Sequence, residues 1–416
     1  MSRATFLSWQ VGGHAVAATL GRAVLRCGMG LGSPHHLAAS LPVDSLRRHI
    51  LDLSRRGLLR GATGLAALGA LQAVAPRPLA QPRNDLSPFA LGVASGDPWP
   101  GGMVIWTRLA PEPMQPEGGM PPAPVEVAWE VAEDEGFRRI AARGRALAMP
   151  ERAHAVHVEL SGLPPGRSWH YRFHAAGATS PIGRTRTAPA PGATPARLRL
   201  AQAGCQHYEH GFFTAWRHIA EEPDLDLVFH YGDYIYEFTL REQRRATIPA
   251  VREHADGEAV TLDQYRRRYA QYRLDPDLQA AHAAHPFAVS FDDHEVENNW
   301  AGPVSWRPQN TTPELFALRR AAAFQAWYEH MPVRAAALPR GPDITAWRSL
   351  RFGRLASLHL LDTRSFRDDQ PCADRFGPPC AEVARPDAQM LGPVQEAWLG
   401  EALAQGEGWQ VHRRCR

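Results

Sequence analysis

Apolar residues cluster in short runs along this chain, and the spacing of those runs predicts its elements. Residues 198–203 (LRLAQA) form an apolar run closed at once by Gly204, as in a buried strand ending in a tight turn, with Cys205 at its mouth. Over residues 211–222, Phe212, Phe213, Trp216, Ile219 and Ala220 recur at three- and four-residue intervals, which predicts one face of a helix that Pro223 stops. Residues 225–231 are a second strand-forming run, broken by Gly232 and Asp233. Strand, helix and strand make a βαβ unit, so Cys205 and Asp233 are expected at the same carboxyl edge of a parallel sheet, where open α/β folds bind ligands. Residues 287–291 (FAVSF) form another such run and deliver Asp292, Asp293, His294 and Glu295; residues 355–361 lead in the same way into Asp362, Thr363 and Arg364. Helices are expected over residues 312–328, with Leu315, Leu318, Ala322, Gln325 and Ala326 on the apolar face, and around Tyr265, Tyr269 and Tyr272, which share one face.

Before residue 190 the pattern differs. Short runs at residues 125–131, 155–160 and 169–175 alternate with Pro/Gly turns, as in a β-sandwich of immunoglobulin or fibronectin type with Tyr171 as an inward or corner aromatic. Residues 188–192 (APAPG) read as a short linker. Further upstream, Ser54, Arg55, Arg56 and Gly57 open a mildly apolar segment that ends near Ala80. This is the pattern of a twin-arginine signal, and it is too short and too rich in Gly and Ala for a membrane span. The expected organisation is a leader with signal over residues 1–80, a β-sandwich over 85–190 and a catalytic α/β domain over 197–416.

The chain of 416 residues, 44% hydrophobic and 21% charged, has the composition of a globular protein. Its 46 basic and 43 acidic residues leave a net charge of +3 with no dominant basic block after the leader, which argues against specific nucleic-acid recognition. Cys372 and Cys380 bracket a loop with Gly and two prolines, PCADRFGPPC. In an exported protein a local disulfide is the economical reading, whereas a second metal site there lacks nearby histidines.

The candidate chemistry lies at the strand ends. Asp233 and Tyr236 share one loop and could face a cation together with the Cys205 thiolate, a mixture of soft sulfur and hard oxygen that suits a transition metal, iron rather than calcium. A half-buried cysteine with turn residues that bind nothing is the alternative. The run of polar residues from Asp292 to Glu295 is costly to desolvate without cations or partners.

The segments GCQ, GDYIYE, DDHEVENNW and LDTRSFRDDQ occur in this order, with GVASGDP and MVIWTRL upstream. Together they resemble the alkaline phosphatase D (PhoD-like) family of the metallophosphoesterase superfamily, from about residue 89 to about residue 411. The resemblance implies an α/β metallophosphoesterase sandwich behind a small all-β domain, with ferric ion (Fe3+) and calcium (Ca2+) hydrolysing phosphate mono- and diesters. It implies that Cys205 and Tyr236 bind iron, that Asp233 bridges metals, that Asp293 is a further ligand, and that His294 assists proton transfer or phosphate binding. It puts Arg364 near the site, either as a substrate contact or in a structural ion pair with Asp362.

The family's late G-D-x-H motif is not found. His330, His359 and His412 lack its context, and HRRCR after Val411 resembles nothing, so a C-terminally truncated form is the expectation. Two functions follow from the sequence. One is a periplasmic or secreted phosphohydrolase acting on small phosphate esters or phosphodiester polymers and exported through the twin-arginine machinery. The other is a non-catalytic cell-envelope protein binding phosphate or sugar in a degraded pocket. Replacing Arg55 and Arg56 by Lys is expected to retain the precursor in the cytoplasm on cell fractionation. Equal export of that double variant would exclude the twin-arginine route.

Overall fold

A computed structural model describes residues 5–10, 87–240, 249–375 and 377–412; Arg55, Arg56 and the rest of the signal lie outside them. The strands are β1 (Thr5–Gln10), β2 (Val93–Trp99), β3 (Gly102–Arg108), β4 (Val125–Ala132), β5 (Ile140–Ala148), β6 (Ala155–Leu160), β7 (Ser168–Ala175), β8 (Ala178–Thr179), β9 (Gly183–Arg186), β10 (Arg197–Ala203), β11 (Leu227–His230), β12 (Pro286–Val289), β13 (Arg348–Phe352), β14 (Ala356–Leu360) and β15 (Trp409–His412). The helices are α1 (Thr214–Glu221), α2 (Leu262–Arg273), α3 (Pro276–Ala284), α4 (Pro313–His330) and α5 (Gly392–Ala404).

In the first region β2, β3 and β6 form one antiparallel layer, and β5, β4, β7 and β8 a second, with β9 beside β7. Trp169, Tyr171, Phe173 and Ala175 alternate inward along β7 and meet Val93, Met103 and Ile105 of the other layer. That two-residue period, with one face buried, is what fixes the register of each strand.

β10, β11 and β12 are parallel neighbours, with Leu200 opposite Leu227 and Val228 opposite Phe287. β12 then pairs in parallel with β2, Phe287 opposite Gly96, so the first region and the α/β region share one sheet ordered β1, β10, β11, β12, β2, β3, β6. Gly96 is needed at this seam, because a Cβ there would lie 2.3 Å from the Pro332 carbonyl oxygen and 2.6 Å from that of Phe287. Asp97 next to it accepts from Arg348 Nε and Nη2 at 2.9 and 2.7 Å, which ties β2 to β13. The β13–β14–β15 sheet packs on one face of β10 and β11 through Leu200, Leu227, Phe229, Leu350, Leu358 and Leu360. Helices α1 to α4 contribute to a second core, which covers Ala201, Val228, Phe287 and Val289. Thr261 and Gln264 make a reciprocal cap at the start of α2, while Asp275 and Thr312 cap α3 and α4.

Two expected faces shift. α1 begins at Thr214; Phe213 at its N-cap and Trp216 and Ile219 within it are buried, whereas Phe212, one residue before the cap, is 65% exposed. On α4 Leu315 and Ala326 are buried as expected, joined by Phe316, Ala323, Phe324 and Trp327, while Leu318 is 44% exposed, since the larger aromatics set the buried stripe. Tyr265, Tyr269 and Tyr272 are fully buried together, and the arginines between them are occupied. Arg266 is bidentate to Glu329, Arg267 pairs with Asp256, and Arg268 donates to the carbonyls of Tyr236, Asp256 and Gly257. This helix is a structural cover. No helix among the described residues is long and apolar enough to cross a membrane.

His285 at the end of α3 is buried, and its Nε2 hydrogen-bonds the Ile219 carbonyl at 2.8 Å. Burial lowers its pKa from 6.5 to about 4. The unfolded chain therefore takes up this proton first, so the stability it contributes is complete above pH 6.5 and is lost as pH falls towards 4. Denaturant titrations at pH 7 and 4.5 are expected to show wild type losing about 2 kcal/mol relative to His285→Gln over that interval. A pH-independent difference would contradict it.

Candidate metal centre

Three parallel strands end at one edge, and their loops carry the ionisable residues. β10 runs into Gly204 and Cys205, β11 into Gly232 and Asp233, and β12 into Asp292, Asp293 and His294. Cys205 and Asp233 have left-handed backbones, with φ of 55° and 53°. Their turns are stitched together by Cys205 N donating to Gly232 O at 3.1 Å and Gln206 N to Asp233 O at 3.2 Å. Gly232, at φ 130°, lets the second loop approach the third, since a Cβ there would sit 2.5 Å from Asp292 N. Strained conformations of this kind persist where the surrounding structure over-determines them, and functional sites are where they collect.

Ligand atoms of Asp233, Asp293 and His294 lie within 4.8 Å of one another, the one such metal-competent group among the described residues. The Tyr236 hydroxyl donates to Asp233 Oδ2 at 3.1 Å, and its ring stacks on His294 at 4.1 Å. Cys205 is half-buried and forms no disulfide among the described residues. It lies close enough to raise the pKa values of both Asp233 and Tyr236. Burial, Asp293 and Cys205 push the Asp233 carboxyl well above the usual carboxylate range, and burial, Asp233 and Cys205 push the Tyr236 phenol well above 10. Asp233 Oδ1 is buried without a hydrogen-bond partner. An orphaned carboxylate oxygen facing a thiol, a phenol and a second carboxylate is what a cation would satisfy, and the donor set fits a metal ion on that ground.

Two cations of the chain itself adjoin the cluster. Arg364 Nε donates to Asp292 Oδ1 at 2.6 Å, and its Nη2 lies 3.4 Å from Asp293 Oδ1. Asp362 does not pair with the Arg364 guanidinium; its Oδ1 instead accepts the backbone N–H groups of Arg364 and Ser365 and shapes their turn. His294 Nδ1 is 2.8 Å from Glu237 Oε2. Burial opposes its protonation, but Asp293 and Glu237 outweigh burial and raise its pKa to about 9. Burial likewise opposes ionisation of Asp293, yet His294 and Arg364 hold it below the ordinary range.

Glu237 and Glu295 lie inside the GDYIYE and DDHEVENNW segments, where the sequence pattern gives them no separate role. Glu237 orients His294 and accepts Asn298 N with its other oxygen. Glu295, which burial raises to about 8, takes the N–H groups of Tyr234 and Asp292 and so locks the second and third loops together. His207, which follows GCQ directly, lies tilted against Tyr236 with ring centroids 4.5 Å apart, a contact the sequence pattern does not announce. The late histidines lie elsewhere: His330 bonds Arg108 and the Ala326 carbonyl, His359 bridges Ser349 and Gln410, and His412 is exposed on β15. Cys372 and Cys380 are joined in a disulfide.

A metal-competent acidic cluster at the carboxyl edge of a parallel α/β sheet sits where open α/β folds place their ligands. The chain belongs to the PhoD-like phosphatase family, whose profile matches residues 200–412, while the family's N-terminal domain matches residues 73–189. The chain is 47% identical over 377 residues to alkaline phosphatase D of Bacillus subtilis (strain 168), covering 89% of this chain and 64% of that protein. A solved structure of PhoD superposes with a TM-score of 0.76 at 49% identity, over 81% of this chain and 63% of that one. The chain thus spans somewhat less than two thirds of the length of these relatives.

Asp233→Asn is expected to abolish tight metal binding, read by elemental analysis after gel filtration. Metal content equal to wild type would remove Asp233 from the ligand set.

Proposed function

We propose that the chain is an exported, metal-dependent phosphohydrolase that cleaves phosphate mono- and diesters at the Asp233–Asp293 cluster. The observation that carries this reading is the orphaned Asp233 Oδ1 inside a buried acidic cluster, in a chain of the PhoD-like phosphatase family. The metal set would be Fe3+ with Ca2+, iron held by Cys205, Tyr236 and Asp233 and calcium by Asp233 and Asp293. Tyr236 supports the assignment of a highly charged ion, because its phenol ionises only where a cation replaces the negative potential of Asp233 and Cys205. Bound there, the metals supply a nucleophilic water near neutral pH and compensate charge on the phosphoryl oxygens.

The chain's own residues do the rest. His294, held by Glu237 at 2.8 Å, gives a proton to the departing alkoxide. Arg364 places its guanidinium beside Asp292 and Asp293, where a phosphate oxygen could share it. The first region is read as an immunoglobulin- or fibronectin-like sandwich, and export is read from Arg55 and Arg56.

Hydrolysis of an aryl phosphate by the metal-loaded protein tests the reading. His294→Ala is expected to keep the metals and slow turnover on the order of 100-fold. Iron-loaded protein is expected to show a visible charge-transfer band that Tyr236→Phe removes, and Cys205→Ala to lose iron before calcium. Full metal occupancy without turnover would favour a binding protein instead.

A further inference from the structure

The disulfide loop reaches the metal centre through one residue. Asn299 N donates to Asp293 Oδ2 at 2.7 Å, and the same residue's Nδ2 donates to Asp374 Oδ2 at 2.6 Å. Asp374 closes a turn, Pro371–Asp374, in which Cys372, Ala373 and Asp374 all have left-handed backbones, with φ of 60°, 52° and 55°. Three consecutive non-glycine residues rarely hold that conformation unaided. No core holds it here, since Ala373, Asp374 and Arg375 are exposed. The turn's own hydrogen bond, Arg375 N to the Cys372 carbonyl at 3.2 Å, is backed by the Cys372–Cys380 disulfide and by Cys372 N donating to Glu382 Oε2 at 2.7 Å.

We propose that the Cys372–Cys380 loop is a positioning device for the metal centre, with Asp374 as its contact residue and Asn299 as the relay that fixes the Asp293 carboxylate. The proposal rests on the reading of Asp293 as a metal ligand. The disulfide shapes the turn, the turn presents the Asp374 carboxylate, and that carboxylate orients the Asn299 side chain. Asn299, itself left-handed at φ 52°, then aims its N–H at Asp293 Oδ2. Residues that hydrogen-bond a ligating carboxylate in this way set its orientation and so the affinity for the metal.

The test compares the wild-type chain with Asp374→Ala, which keeps the disulfide, and with Cys372→Ser/Cys380→Ser, which keeps Asp374. Each is stripped with chelator and titrated with calcium and ferric iron, and thermal melts report the fold. Both variants are expected to bind metal about 10-fold more weakly or worse with melting temperatures close to wild type. Asp374→Asn, which preserves an acceptor for Asn299, is expected to restore most of the affinity. If either weakening variant binds metal as tightly as wild type, the positioning role is overturned. If the wild-type chain itself binds no metal, the reading of Asp293 as a ligand falls, and this proposal with it.

Discussion

Uncompensated negative charge in a dry place is the constraint on which the rest of this structure depends. Asp233, Asp292, Asp293 and Glu295 are buried close in space to Cys205 and Tyr236, at the ends of three adjacent strands. The chain answers with two cations of its own. Arg364 engages Asp292 and Asp293, and His294 is shared between Glu237 and Asp293. Glu295 is accommodated by backbone N–H groups, which leaves Asp233 with one oxygen unsatisfied. Isolated buried charge is too costly to persist without a counter-ion or a proton, so Asp233, whose pKa burial and its neighbours push well above the usual carboxylate range, must carry one or the other.

The loops are built to tolerate that crowding. Left-handed residues at Cys205 and Asp233 turn the chain sharply as it leaves β10 and β11, so both side chains emerge at the sheet edge. Gly232 allows the Asp233 loop to touch the Asp292 backbone, and Ser290 Oγ, bonded to the Leu361 carbonyl at 2.9 Å, brings the Arg364 loop of the second sheet to the same place. Backbone geometry does the gathering, and the charged side chains have little freedom left.

Much of this was legible in the sequence because hydrophobic period and chain breakers report local structure. β10, α1 and β11 follow from them, and with those the common edge of Cys205 and Asp233. The alkaline phosphatase D resemblance, carried by GCQ, GDYIYE, DDHEVENNW and LDTRSFRDDQ, is borne out by the family profiles and the relatives. What stayed hidden was relational. Phe212 and Phe213 are equivalent in any hydrophobic pattern, and only the first turn of α1 decides which is buried. Whether Arg364 pairs with Asp362 or with Asp292 depends on which groups the backbone N–H donors have already taken. The contact of β2 with β12 has no local signal, since a four-residue strand beginning at Pro286 says nothing about its neighbour.

That contact has a temporal side. β2 leaves the ribosome early, yet its partner β12 follows only after the whole of the first region, β10 and β11 have been made. Until then β2 has β3 on one side and an unsatisfied edge on the other, the kind of edge that recruits the wrong strand. Pairings between such distant parts of a chain form slowly, because a long loop must close first. The sheet's continuity therefore makes nascent chains of this protein dependent on whatever keeps that edge apart from its neighbours until residue 289 has been synthesised.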